Sequence, residues 1–160
     1  MSLHICIKTD KSLSHLATEI REAFSLPPFK LDLHAQEPYY QFEMLGMLVF
    51  IRKTAEEDRD PEVSNYPYSF DLQMSFLDHE LDTDAMEYHL QAYYAQLLAF
   101  QLNIETACYE KKKIGPHWQI RYCFYRKNSK WNGSILFGEP GWEPAVSSSP
   151  PGPWRTIRPA

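Results

Sequence analysis

The sequence predicts an α+β domain in which two helices cover one face of an antiparallel sheet. Several segments alternate apolar and polar residues with a period of two, and two others carry an apolar stripe at helical spacing. These segments follow one another in the order β-α-β-β-α-β, which is the ferredoxin-like, split βαβ order. A β-hairpin and a tail rich in proline, glycine and serine are predicted to follow.

The composition fits one domain of ordinary size. The chain has 160 residues, of which 44% are hydrophobic and 23% are charged, and this excludes disordered, collagen-like and coiled-coil proteins. No apolar run approaches the roughly 20 residues of a membrane helix. We predict one α+β domain over residues 1–137 and a tail over residues 138–160. Because residues 1–10 lack the pattern of a secretory signal, we expect a cytoplasmic protein.

The first strand and the first helix are predicted from their periodicities. Residues 4–8 alternate, so the two faces of this strand carry Leu3, Ile5 and Ile7 on one side and His4, Cys6 and Lys8 on the other. Ser12 is a plausible N-cap for the helix that follows. The apolar stripe of this helix consists of Leu13, Leu16, Ala17, Ile20 and Phe24. Pro27 and Pro28 are predicted to end it.

Two aromatic strands are predicted to form a hairpin across an acidic loop. The first is a single long strand over Tyr39–Arg52, which Gly46 interrupts as a bulge or close backbone approach. Residues 54–65 are polar and acidic, so they form the loop. The second strand, Pro67–Phe76, alternates clearly, and its polar face carries Ser69, Asp71, Gln73 and Ser75. Residues 29–38 show no clear pattern.

The second half begins with an acidic turn at residues 78–84, followed by a helix. Asp84 can cap this helix, Glu87 completes a variant of the capping box, and Asn103 is a candidate left-handed terminator. The apolar stripe of the helix is predicted to consist of Met86, Leu90, Tyr93, Tyr94, Leu97 and either Phe100 or Gln101. Three strands are predicted beyond it, over Ile104–Glu110, Trp118–Tyr125 and Gly133–Phe137.

Charge is divided unevenly along the chain. Residues 1–104 hold seven Lys/Arg and seventeen Asp/Glu, whereas residues 105–160 hold nine and four. Such asymmetry indicates two surfaces of opposite sign, unless the halves interleave in the fold. We predict that acidic loops contact a basic partner, the alternative being solvated loops that aid solubility. The predicted partner-binding residues are Glu56, Glu57, Asp58, Asp60, Glu62, Asp78, Glu80, Asp82 and Asp84.

Neither a catalytic residue nor a cofactor is predicted. The three cysteines, Cys6, Cys108 and Cys123, have no C-x-x-C spacing, so we expect buried free thiols. The histidines lack metal-ligand spacing, the acidic turn lacks the glycine and terminal Glu of a calcium loop, and no phosphate-binding glycine motif is present. One alternative is a small enzyme or ligand-binding domain with a pocket between sheet and helices. Its polar chemistry would then come from His79, Tyr88 or His89.

A basic, aromatic stretch offers a second alternative, an RNA-binding module. This stretch contains Lys111, Lys112, Lys113, Arg121, Tyr122, Tyr125, Arg126, Lys127, Lys130 and Trp131. Cations interleaved with aromatic rings bind phosphates and stack on bases. The diagnostic strand motif is absent and the sequence pI is near 5.7, so nucleic acid is not favoured. The tail tryptophans Trp142 and Trp154 either pack on the domain or bind a partner.

Residues 66–102 contain the segment YPYSFDLQMSF, an acidic turn and the segment EYHLQAYYAQLLAFQL. This arrangement resembles a pattern of small cytosolic immunity proteins of bacterial toxin systems. It implies a non-enzymatic protein that binds and blocks a toxin, often through an acidic face. The resemblance transfers no functional residue by position. We therefore predict a non-enzymatic, immunity-type inhibitor that binds a basic protein partner and no membrane, with its oligomeric state left open.

Overall fold

Nine strands and two helices lie within the residues that the computed structural model describes, which are 2–44, 46–74, 84–127, 145–149 and 151–157. The strands are β1 Ser2–Lys8, β2 Lys30–His34, β3 Glu37–Met44, β4 Met47–Lys53, β5 Tyr68–Met74, β6 Glu105–Ile114, β7 His117–Lys127, β8 Ala145–Ser149 and β9 Arg155–Ile157. The helices are α1 Leu13–Ala23 and α2 Asp84–Leu102. The predicted strand at 133–137 and the acidic turn at 78–83 lie outside the described residues.

All the strands belong to one antiparallel sheet. Their order is β2-β3-β4-β5-β1-β6-β7-β8, and β9 also pairs with β7. The predicted α+β class, with an antiparallel sheet and two helices, is therefore confirmed. The sheet is nevertheless larger than the predicted ferredoxin-like order with one added hairpin. It is extended by β2 and β3 on one side and by β8 and β9 on the other.

The prediction of one long strand over Tyr39–Arg52 is wrong, because the chain reverses within it. Gly46, at a φ of 77°, lies in the turn that joins β3 to β4. A second turn joins β2 to β3 through Ala35 and Gln36, whose φ angles are 48° and 70°. Two-residue hairpins need positive φ and usually place Asn or Gly there. The sequence therefore carries no ordinary signal for the β2–β3 turn.

Both helices pack against the same side of the sheet, which we call the helix face. Ser12 caps α1 as predicted, since its Oγ accepts a hydrogen bond from the His15 N–H at 3.3 Å. Asn103, at a φ of 52°, follows the end of α2, also as predicted. The core of this face includes Leu3, Ile5, Ile7, Leu16, Ile20, Val49, Ile51, Phe70, Leu72 and Leu98. Burial of each large side chain contributes about 1.5–3 kcal/mol.

The predicted apolar stripe of α2 is confirmed in part. Leu90 and Tyr94 pack against the core and Phe100 is buried, as predicted, whereas Tyr93 is 40% exposed. Among residues 87–102, the buried positions outside the predicted stripe are Gln91, Ala95, Leu98, Ala99 and Leu102. Apolar residues surround much of this helix, so its periodicity identifies the buried side poorly. Small side chains at Ala95 and Ala99, both fully buried, allow the helix to lie close to the sheet.

Gln91 occupies a gap between the central strands β1 and β6. The two strands pair only from Cys6 to Lys8 of β1. Further along, the Gln91 side chain bridges the strands: its Oε1 accepts from the His4 N–H at 2.9 Å, and its Nε2 donates to the Tyr109 carbonyl at 2.7 Å. An amide from α2 thus replaces part of the ladder between two strands.

The described part of residues 138–160 lies against β7. Strand β8 pairs with Phe124–Lys127 and β9 with Trp118–Ile120, while the Gly152 N–H donates to the Tyr122 carbonyl at 2.9 Å. The C-terminal segment therefore covers the free edge of β7. Within the described part of the chain, neither helix has the length and hydropathy needed to cross a membrane.

Candidate functional site

The face of the sheet opposite the helices, which we call the open face, carries two adjoining pockets. One has a volume of about 350 Å³ and contacts Cys6, and the other, of about 920 Å³, contacts Asp71. His4 lines both pockets, because it lies on β1 with Cys6 two residues further along the same strand and with Asp71 opposite it on β5. Strand alternation explains this placement, because the neighbours Leu3, Ile5 and Ile7 face the helices.

Residues 54–67, which connect β4 to β5 and which we call the acidic loop, cover part of the open face. Val63 and Tyr66 from this loop form a second buried cluster with Ala107, Ile120 and Tyr122. Arg59 fixes the loop from within. Its guanidinium donates to the Thr54 carbonyl at 3.0 and 2.7 Å and to the Ser64 carbonyl at 2.8 Å. The loop therefore has a defined shape over the pockets.

An ion pair between His4 and Asp71 lies where the two pockets adjoin. His4 Nδ1 donates to Asp71 Oδ1. The other carboxylate oxygen accepts from Ser69 Oγ at 2.8 Å and from Arg52 Nε at 3.1 Å. Asp71 is 8% exposed and Ser69 is fully buried. A carboxylate this well satisfied holds the His4 ring in one orientation.

The ion pair changes the titration of both partners. Burial lowers the pKa of His4, but hydrogen bonds to Asp71 and Cys6 and the charge of the carboxylate raise it to about 10. Burial raises the pKa of Asp71, but His4, the Ser69 hydroxyl and Arg52 lower it below its ordinary value. The pair is therefore charged on both sides at neutral pH.

The raised pKa of His4 predicts that alkali weakens the fold. A group whose pKa is higher in the folded state stabilises fully below its unfolded value of 6.5, and this stabilisation is lost as the pH rises through about 10. We therefore expect the free energy of unfolding of the wild type, relative to His4→Gln, to shrink between pH 6.5 and 10. Urea unfolding of both proteins at several pH values measures it. A difference that does not change with pH would contradict the assignment.

The structure divides the predicted partner-binding residues of the acidic loop into two groups. Glu56, Glu57 and Asp58 form a short 3-10 helix, are exposed and make no ion pair with the described residues. Asp60 and Glu62, in contrast, pair with Arg155 at 3.1 and 2.8 Å. Asp60 also accepts from the Tyr122 hydroxyl at 2.8 Å, and Arg155 lowers the pKa of Glu62.

None of the second group of predicted acidic residues, at positions 78–84, is placed at the open face within the described part of the chain. Asp78, Glu80 and Asp82 lie outside the described residues, and Asp84 is the first residue of α2. His79 also lies outside them, while Tyr88 and His89 of α2 line neither open-face pocket. A third pocket lies beside α2, where Glu87 lines it together with Gln73 and Met74, but neither Tyr88 nor His89 lines it.

Several Lys and Arg side chains of the basic stretch contact other side chains of the protein. Arg121 donates to Glu110 at 2.6 Å. The Trp154 ring lies under Lys112 Nζ at 3.9 Å and near the Arg121 guanidinium at 4.7 Å. Of the two tail tryptophans, Trp154 therefore packs on the domain. Trp142 lies outside the described residues, as do Lys130 and Trp131.

The three cysteines are buried free thiols, as predicted. Cys108 and Cys123 are opposite each other on β6 and β7 and belong to the core of the helix face. Cys6 alone lies on the open face, where its Sγ is 3.6 Å from His4 Nε2. In the described ranges, no group of three His, Cys, Asp or Glu residues could hold a metal ion.

The cluster of His4, Cys6 and Asp71 was not identified from the sequence. Alternation places His4 and Cys6 on one face of β1 and Asp71 on the polar face of β5. The missing information is the register, which sets His4 directly opposite Asp71 although the two are 67 residues apart in the chain. Comparisons with protein-family models, with curated proteins and with solved structures find no match.

Proposed function

We propose that this protein is a binding module that inhibits a basic protein partner through the acidic loop, in the manner of an immunity protein. The observation that carries the proposal is the exposed 3-10 helix of Glu56, Glu57 and Asp58. It stands at the rim of the 920 Å³ pocket, which Glu56 and Asp58 both line. These three carboxylates make no ion pair with the described residues, and they form a surface suited to lysine and arginine side chains.

The rigidity of the loop supports this proposal. The Arg59 hydrogen bonds to the Thr54 and Ser64 carbonyls link the segments before and after the 3-10 helix, and the pairs of Asp60 and Glu62 with Arg155 anchor the segment that follows it. A preorganised loop loses little conformational entropy when a partner binds. The same Arg155 pairs neutralise Asp60 and Glu62, so the exposed negative charge of the acidic loop is concentrated at residues 56–58.

The mode of action would be steric occlusion of the partner's active site. The acidic surface would steer the basic partner into contact, which makes the association rate sensitive to salt. Contacts across the pocket would then set the dissociation rate. The resemblance of residues 66–102 to immunity proteins supports a toxin as the partner.

Charge reversal at the 3-10 helix tests the proposal. Partners are first captured from the lysate of the native host at low salt and identified by mass spectrometry. The triple variant Glu56→Lys, Glu57→Lys, Asp58→Lys should then bind the identified partner about 10-fold to 100-fold more weakly, mainly through slower association. Surface plasmon resonance at two salt concentrations measures both rates.

A matched variant controls for net charge. Asp10, Glu22 and Glu43 are also exposed acidic residues, but they line neither open-face pocket. The variant Asp10→Lys, Glu22→Lys, Glu43→Lys changes the net charge by the same amount, and it should leave the affinity within about threefold of the wild type, since distant surface charges are screened. Equal affinities of the wild type and the triple variant, with the same salt dependence, would refute the acidic loop as the contact surface.

A further inference from the structure

Three side chains on the open face have the geometry of an activated nucleophile. Cys6 and His4 are two residues apart on β1, so both face the 350 Å³ pocket, and Cys6 Sγ lies 3.6 Å from His4 Nε2. The opposite ring nitrogen, Nδ1, donates to Asp71. The ring is thereby oriented by the carboxylate on one side and directed at the sulfur on the other, which is the arrangement of nucleophile, base and orienting acid.

We propose that Cys6 is a nucleophilic cysteine that His4 activates and Asp71 positions, and that it accepts the acyl group of a small ester or thioester. This activity goes beyond partner binding by the acidic loop. An imidazolium beside a cysteine sulfur favours the thiolate, which is the reactive species. The charge of His4 at neutral pH, described above, is consistent with that role.

The pocket limits the class of substrate. Its walls include the aromatic residues Tyr66, Tyr109 and Tyr122, and the volume of about 350 Å³ admits a short acyl group. Lys111 lines the same pocket, and a cation is one kind of group that stabilises the oxyanion of a tetrahedral intermediate. Cys6 is only 6% exposed, so a bulky acyl group would be excluded.

The reaction balances without a cofactor. The Cys6 thiolate forms an S–C bond to the acyl carbon, the C–O bond of an ester or the C–S bond of a thioester breaks, and the leaving oxygen or sulfur takes the His4 proton. The now neutral His4 then removes a proton from water. The resulting hydroxide attacks the acyl carbon, and the S–C bond breaks. Free acid leaves, and the thiolate and the imidazolium are restored.

Several charged or titratable groups surround His4 and influence its proton. They are Cys6 of β1, Arg52 of β4, Asp71 of β5, Tyr109 and Lys111 of β6, and Asp58 and Arg59 of the acidic loop. Asp71 is in direct contact, and Arg52 shares its carboxylate. The pH dependence of the thiol reaction therefore reports the His4–Asp71 pair most directly.

Alkylation of the intact protein tests the nucleophile. Iodoacetamide is applied to the full chain between pH 5 and 10, and peptide mass spectrometry locates the adducts. Cys6 should be modified first, because burial raises the pKa of both Cys108 and Cys123. At pH 6 the Cys6 rate should fall roughly 100-fold in His4→Gln, since an ordinary thiol is barely ionised there.

A second variant and an acyl probe complete the test. Asp71→Asn should move the pH profile of the Cys6 rate towards that of an ordinary thiol, and near-ultraviolet circular dichroism checks that each variant is folded. With p-nitrophenyl acetate the wild type should release about one equivalent of nitrophenolate in a burst that Cys6→Ser lacks. A wild-type Cys6 that reacts no faster than Cys108, follows an ordinary thiol profile or gives no burst would overturn the proposal.

Discussion

Asp71→Ala is expected to lower the free energy of unfolding by about 3–5 kcal/mol. The substitution leaves the buried Ser69 hydroxyl and the charged His4 ring without their acceptor, and it also releases Arg52. Removal of one partner of a buried ion pair lowers the free energy of unfolding by more than the intact pair contributes to it, because the other group stays desolvated without a partner. Urea unfolding at pH 6, where the His4 charge is fully present, measures the loss.

The neighbouring residue on the same face of β5 is the control for Asp71. Gln73 is exposed and has the same strand environment, so Gln73→Ala should change the free energy of unfolding by less than about 0.5 kcal/mol. A loss below about 1 kcal/mol in Asp71→Ala would mean that solvent replaces the carboxylate at His4 and that the pair does not stabilise the sheet.

Gln91→Leu is expected to be destabilising by about 2–4 kcal/mol, even though leucine has a similar volume. The leucine fills the space but leaves the His4 N–H and the Tyr109 carbonyl without the partners that the Gln91 amide supplies. Each buried, unsatisfied backbone group costs about 1–3 kcal/mol. Thermal unfolding measures the loss, and hydrogen exchange should be accelerated at the His4 amide in particular.

An exposed glutamine of the same helix is the control for Gln91. Gln101 lies on the solvent side of α2, so Gln101→Leu changes the helix in the same chemical way without affecting the sheet, and its effect should stay within about 0.5 kcal/mol. Unchanged protection of the His4 amide in Gln91→Leu would show that β1 and β6 close the gap by pairing directly.

Periodicity identified most of the elements, and the errors have local physical causes. The alternation in β1 and β5, and the caps at Ser12 and Asn103, use residue types typical of those structures. The β2–β3 hairpin was missed because Ala35 and Gln36 adopt positive φ without being glycine or asparagine. Tertiary contacts with the rest of the hairpin override their local preference.

The site was harder to predict than the fold, because it depends on register. The acidic residues are visible in the sequence, but only the structure separates the exposed Glu56 from Asp60, which Arg155 neutralises across 95 residues of chain. Similarly, the alternating strands show that His4 and Asp71 lie on polar faces, but not that they are opposite each other. The charge of His4 and the neutralisation of Asp60 therefore depend on partners that are distant in the chain.

The central position of β1 has a consequence for the order of folding. Strand β1 precedes its neighbours β5 and β6 in the chain, and it pairs with residues 68–73 on one side and 105–107 on the other. Ribosomes add roughly 5–20 residues per second, so the nascent strand waits several seconds for its neighbours. Contacts of such long range also slow folding of the complete chain. During this interval Leu3, Ile5 and Ile7 are exposed on an unpaired strand, which makes the newly synthesised chain the form most prone to aggregate.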